Sequence, residues 1–577
     1  MGRVESFALV ALLGCGSTHP LGTAPITRST SSADPSTPMG SASAAPAPPV
    51  KRASDRGAVS TENQAVADLA LRVLADGGTA ADAAIAAVLL AGVVQPASTG
   101  LGGDGFAIVW DAEAKKASAL DFRARAPGGI KASDHVGRET STRKRGVMVG
   151  VPGLVAGLGA LSKLASKKSW GELVTLVADT AEKGFTVTPY AAQSFAWLAE
   201  DPGDAKLLAR WGFDASAKDH TGETARNDAL VATLRELASG PGTFYQGAFA
   251  KDVVDTVIQG GGVIGSGDLI GYTAIPREPM NVRWGDVDVL MPPAPCAGSF
   301  IVAEMLGLFP PEDVKRFERG SGDYVHFLAE GLRASGEDKL LAIGDPDFTK
   351  TDADAFLAPD RLAKKRAAFT KDATTLPKRV GLGHGGTFSV VVVDANQNAV
   401  SITSTLGDVF GARLMTAGGY PLNDALVDFT MDEYGQRPTN RGPNFPRGGA
   451  RPASAMTPAI VLADGALEVA LGASGGYRIP SAIAETLFAH LAFGARIQDA
   501  VAAPRFHTTP TGTLLLDPAL QSLKEDLLAR AEIVEDRKGD FAPVSAVSLR
   551  HEEGLLVLEA AADPRKSGVG VVAPGAP

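Results

Sequence analysis

Thr387 stands directly after Gly385 and Gly386 and directly before the apolar run "FSVVVVD". A mid-chain threonine hydroxyl is a poor nucleophile. At a chain N-terminus the same residue carries its own base, an α-amine with an intrinsic pKa of about 7.7–8.0, which can take the hydroxyl proton. Breaking the Gly386–Thr387 bond would create that pair at the end of a rigid strand. The two glycines permit the strained backbone that an internal N→O acyl shift needs. A threonine that merely starts a strand fits the same residues, and these features alone favour it.

A second chemical feature is "GASGG", Gly472 to Gly476. It fits G-x-S-x-G, lies after an expected strand ("LEVAL") and precedes an expected helix, as a serine nucleophile elbow requires. Asp540 and His551 follow Ser474 in the order such a triad needs. The same glycines also read as an oxyanion site, with backbone N–H groups exposed where a helix dipole is positive and no attacking serine required. The bland alternative is a tight strand–helix turn.

These groups need rigid elements to hold them. "FSVVVVD" and "AVSIT" flank the turn residues "ANQN", which predicts a β-hairpin over 388–394 and 399–405. Further strand pairs are expected at 458–463, 467–472 and in a group around 513–560, with an apolar helix from Arg478 to Ala492 among them. Upstream, "TENQAVADLALRVLADGGTAADAAIAAVLLAGVV" predicts two helices broken at Gly77–Gly78, with Thr61 as N-cap. "VPGLVAGLGALSKLA" starts a helix after Pro152, and another runs from Val325 to Ile343. Helices and strands segregate along the chain, which points to an α+β or layered sandwich fold.

Composition narrows the function classes. A net charge of -10 with no basic stripe argues against nucleic acid as a partner. Two cysteines, Cys15 and Cys296, exclude a disulfide framework or zinc finger. No apolar run reaches about 18 residues, so no spanning helix is expected. "FALVALLGC" near the start is a short apolar run whose "LLGC" resembles a bacterial lipobox. Residues 1–15 are therefore read as a signal segment, either a lipoprotein signal with Cys15 as the lipid anchor of an exported periplasmic or outer-membrane lipoprotein or an ordinary secretory signal, with a misassigned start as the bland alternative. Residues 16–55 are rich in Ser, Pro, Ala and Thr and read as a disordered tether.

Taken together, several segments resemble the γ-glutamyltransferase (glutathione hydrolase) family of N-terminal-nucleophile hydrolases. They include "ADLALRVLADGGTAADAAIAAVLL", "GLGGDGF", "LDFRARAP", "VPGLVAGL", "LMPPAPCAGSF", "GDPDF", "TFSVVVVDANQNAVSIT", "RPASAMTPAIV", "GASGGYRI" and "VAAPRFH". The resemblance implies a four-layer αββα sandwich built jointly by a large chain (56–386) and a small chain (387–577) that stay associated after self-cleavage. It implies Thr387 as the nucleophile freed by that cleavage, Thr405 as a second threonine bonded to it, and Gly475 and Gly476 as the oxyanion hole. It implies Arg123 and Ser454 as ligands of the substrate α-carboxylate, for which an arginine fork is geometrically suited. Asp428 would take the substrate α-ammonium. Residues 430–450 would supply a lid, with Tyr434 a candidate gate. The substrate would be a small γ-glutamyl compound such as glutathione, and no metal or organic cofactor is implied.

The departures bear on specificity. The family commonly begins its small chain Thr-Thr-His, whereas this chain has Thr387, Phe388 and Ser389. Gly407, Ala425 and Ala455 stand where many members have Asn, Gln and a second Ser. Each lost hydrogen bond to a charged head group is worth roughly 1.5–3 kcal/mol. Two rivals follow: a same-fold acylase for another N-acyl group, and a non-processing surface scaffold.

Overall fold

The computed structural model describes residues 56–132, 145–377, 385–430, 442–535 and 541–573, apart from Ala215, Lys218 and residues 553–554. Two antiparallel sheets carry the fold. The first orders its strands Val569–Val572, Ala58–Thr61, Gly386–Val393, Ala399–Gly407, Asp104–Asp111, Lys116–Phe122 and Ile275–Arg277. The second runs Leu555–Ala561, Val544–Glu552, Ala466–Ala473, Ala459–Ala463, Val287–Met291 and Met280–Trp284.

Side-chain alternation along the strands builds the layers. In Gly386–Val393, Val390 and Val392 join a cluster with the outer helices, including Ala80–Val94. Val391 and Val393 join a second cluster with Ile460, Ala470 and Val547 of the other sheet. That sheet's opposite face, through Val461, Val469 and Leu471, packs on Ile483 and Leu487 of the helix Ile479–Leu487. The result is the αββα sandwich. Buried on both faces, the central strands read as unbroken apolar runs, and all eight residues of Gly386–Val393 are buried.

The hairpin expected after Thr387 is present, with Val393 opposite Ala399 and Thr387 opposite Thr405. The two upstream helices are Gln64–Ala75 and Ala80–Val94. The expected cap at Thr61 is corrected: Thr61 ends a strand, and Asn63 caps the helix by accepting from the N–H groups of Ala65 and Val66. Asparagine outranks threonine at this position because its carbonyl reaches two orphan donors. The expected segregation of helix and strand is also too simple. Strands from both sides of residue 386 enter both sheets, and in the first they interleave, so that Ala58–Thr61 is hydrogen-bonded directly to Gly386–Val393. Among the described residues, no helix is long and apolar enough to cross a membrane.

Candidate active site

The strand order places a line of polar residues at one end of the first sheet. Thr405 lies opposite Thr387 on one side and opposite Asp104 on the other. A register shift after Thr405 brings Gly407 opposite Gly386. Thr387 is 4% exposed. Its Oγ1 donates to Thr405 Oγ1 at 3.4 Å. The Thr405 hydroxyl in turn donates to the carbonyl oxygen of Gly386 and accepts from the Gly407 N–H at 2.8 Å. One hydroxyl therefore bridges Thr387 Oγ1 and the carbonyl of the bond preceding it. Such an arrangement can polarise that carbonyl toward attack by a neighbouring hydroxyl.

The "GASGG" turn comes to the same place. Ala466–Ala473 leads into Ser474, and Gly475 and Gly476 take φ of +124° and +64°. This backbone region is costly for residues with a Cβ. It turns the chain sharply into the helix Ile479–Leu487. Lys566 joins the turn to the strand: its Nζ donates to the Thr387 carbonyl at 3.2 Å and to Ser474 Oγ at 3.4 Å. Lys566 also pairs with Glu62 Oε2 at 2.5 Å and lies 4.0 Å over the Tyr190 ring. Glu62 Oε1 accepts the Ser389 N–H at 3.2 Å. Burial works against the Lys566 charge, but Glu62 and Tyr190 together outweigh it and raise the ammonium pKa.

The serine-elbow alternative does not survive this geometry. Ser474 is 1% exposed and bonds to a lysine. Ala473 pairs with Val544. His551 lies seven residues further along that strand, roughly 23 Å away. Asp540 falls outside the described residues.

Arg123 and Asp428 do meet, but as partners of each other. Arg123 is fully buried, and its Nη1 holds both Asp104 carboxylate oxygens at 2.7 and 2.8 Å. Its Nη2 pairs with Asp428 and reaches the Ala425 carbonyl at 3.4 Å, while Nε donates to the Pro452 carbonyl at 3.2 Å. Burial opposes the guanidinium charge, yet the two carboxylates raise its pKa further. Burial raises the pKa of Asp104, and Arg123 partly offsets this. Asp428, at the end of the Ala425–Asp428 turn, retains 24% side-chain exposure. Ser454 is nearly buried and accepts from the Met456 N–H at 3.3 Å. The groups assigned by resemblance to the two charged ends of a substrate are thus bound to each other.

Tyr434 and Cys15 lie outside the described residues. Gly407 has φ +99°, and a Cβ there would overlap Asp424 Oδ1, so the carboxylate of Asp424 fills the space a side chain at 407 would need. Sequence reasoning missed Glu62, Asp104 and Lys566. A charge in "AVSTEN" or "DPRK" reads as solvated, and only the fold shows each to be buried beside Thr387 or Arg123.

The sandwich is the fold of the N-terminal-nucleophile hydrolases. It aligns with the crystal structure of cephalosporin acylase from Bacillus halodurans at a TM-score of 0.79 and 22% identity, covering 92% of this chain and 99% of that one. The family model for Gamma-glutamyltranspeptidase matches residues 66–573, and the chain belongs to that family. It is 31% identical over 539 residues to a glutathione hydrolase proenzyme of Pseudomonas aeruginosa, covering 90% of this chain and 95% of the relative. It is equally 31% identical, over 502 residues, to the acylase ACY 1 proenzyme of a Pseudomonas species (strain V22), covering 83% of this chain and 87% of the relative.

Proposed function

We propose that the chain is a self-cleaving γ-glutamyltransferase that also acts as a glutathione hydrolase, with Thr387 as its nucleophile. Thr387 Oγ adds to the Gly386 carbonyl carbon. The Gly386–Thr387 C–N bond breaks, leaving an ester on Oγ and a free α-amine on Thr387. Water then hydrolyses the ester, leaving a large chain ending at Gly386 and a small chain 387–577. In each catalytic cycle Thr387 Oγ attacks the γ-glutamyl amide carbonyl, its proton passing to the α-amine and on to the leaving amine. The Gly475 and Gly476 N–H groups stabilise the oxyanion, and water or an acceptor amine releases the acyl group. A zwitterionic glutamyl head would insert between Arg123 and Asp428, its carboxylate on Arg123 and Ser454 and its ammonium on Asp428. Tyr434 would cover the bound substrate. Export on a Cys15 lipid anchor completes the proposal.

The observation that carries it is the Thr405 hydroxyl, bonded at once to Thr387 Oγ1 and to the Gly386 carbonyl. The test is hydrolysis of a chromogenic γ-glutamyl amide by purified protein and by Thr387→Ala. Turnover is expected only from the parent chain, and turnover by the variant overturns the assignment.

A second reading is an acylase for a different N-acyl group. Gly407, Ala425 and Ala455 favour it because they remove neutral contacts to the amino-acid head, and at Gly407 the space is taken by Asp424. Cleavage of other N-acyl amides with γ-glutamyl amides untouched would select it.

A further inference from the structure

We propose that Lys566 is a positioning residue that tunes the base: held by Glu62 against Thr387, its ammonium keeps the Thr387 α-amine in its neutral, proton-accepting form. This rests on the self-cleavage proposed above, which creates that amine.

Lys566 Nζ donates to the Thr387 carbonyl and to Ser474 Oγ and lies in ion-pair contact with Glu62 Oε2. The Tyr190 ring closes a further side at 4.0 Å. The side chain is 8% exposed, so the charge is fixed and poorly screened. The α-nitrogen of a residue lies about 3 Å from its own carbonyl oxygen. With Nζ 3.2 Å from that oxygen, the ammonium sits roughly 3–6 Å from the amine. A like charge at this range disfavours the second cation. The amine therefore loses its proton below its ordinary range and is ready as a base near neutrality.

Glu62 acts in the opposite sense. Its carboxylate favours a protonated amine, but Lys566 Nζ reaches the Thr387 carbonyl directly while Glu62 reaches the next residue but one, through the Ser389 N–H. Other charges nearby are accounted for on every side. Asp104 is bound to Arg123 beyond Thr405. Asp424 Oδ1 accepts from the Asp408 N–H, and the Asp408 carboxylate accepts from the Val409 N–H. Arg478 Nη2 lies near Gly385. Asp563 and Arg565 pair with each other on the segment that carries Lys566. Glu62 and Lys566 are the pair whose removal gives opposite electrostatic signs.

The test is the pH profile of kcat/KM for the amide substrate the enzyme turns over. It uses the full chain, after a denaturing gel has shown the parent split in two; a parent that never splits counts against self-cleavage and is recognised at that step. Lys566→Met is expected to move the acidic limb up by about one pH unit or more. Glu62→Gln is expected to move it down, and Lys566→Arg to leave it within a few tenths of a unit. The double variant Glu62→Gln/Lys566→Met should lie between the two single variants. An unmoved limb, or shifts in the same direction for Lys566→Met and Glu62→Gln, overturns the proposal. So does failure of all three single variants to split, Lys566→Arg included, which would make the pair purely structural.

Discussion

The two ends of the candidate site are built differently. Around Thr387, donors and acceptors converge on two carbonyls and one hydroxyl: Thr405 bridges the Gly386 carbonyl and the Thr387 hydroxyl, Gly407 donates to Thr405, and Lys566 donates to the Thr387 carbonyl. Around Arg123, the charges are spent on each other, with Asp104 gripped by two short hydrogen bonds and Asp428 on the remaining nitrogen. At the Thr387 end the donors and acceptors are already in place. The Arg123 end is closed on itself, and under the proposed function a substrate head would compete with Asp428 for Arg123. Preorganised donors act without reorganisation during reaction, whereas opening a buried ion pair draws on binding energy. Under the proposed function, acyl specificity could therefore change while Thr387 and its partners stay in place.

Substitutions sharpen this contrast, beginning with the strongest. Thr387→Ala should leave one uncut chain on a denaturing gel and lower turnover by more than about a thousandfold. Arg123→Leu should destabilise the fold by about 3–5 kcal/mol in denaturant titration, because it strands the fully buried Asp104 carboxylate. A small stability loss with a large rise in KM would instead make Arg123 a binding group with little structural role. Thr405→Val should slow self-cleavage about a hundredfold in a time course on gels, the cost of losing one polarising donor. Thr405→Ser should restore it. Ala455→Ser should lower KM for a γ-glutamyl amide about tenfold or more if the head group binds beside Ser454, since one hydrogen bond to a charged group is returned. Ser474→Ala should change kcat by no more than a few fold, because Lys566 keeps Glu62 and the Thr387 carbonyl as partners.

Most of the strand framework was legible in the sequence because its signals are local. The valine run after Phe388 is short, β-branched and bounded by the turn residues "ANQN", which reads as a buried strand and its turn. The cap was misplaced by two residues because Thr61 and Asn63 are both good capping types, and only the strand pairing of Ala58–Thr61 decides between them. The pairing of Arg123 with Asp428 spans 305 residues, and that of Lys566 with the Thr387 carbonyl spans 179. No local pattern encodes such contacts. Resemblance nominated Arg123 and Asp428 but could not say that they close on each other. Glu62 and Lys566 had no motif at all, since a buried charge looks like any other until its partner is folded against it.

The central claim is that Thr387 becomes a nucleophile by cutting its own chain. Intact-mass analysis of the purified protein tests it most directly. Two species are expected, the smaller with the mass of residues 387–577 and Thr387 at its N-terminus. A single uncut chain, or a break anywhere other than between Gly386 and Thr387, would contradict it.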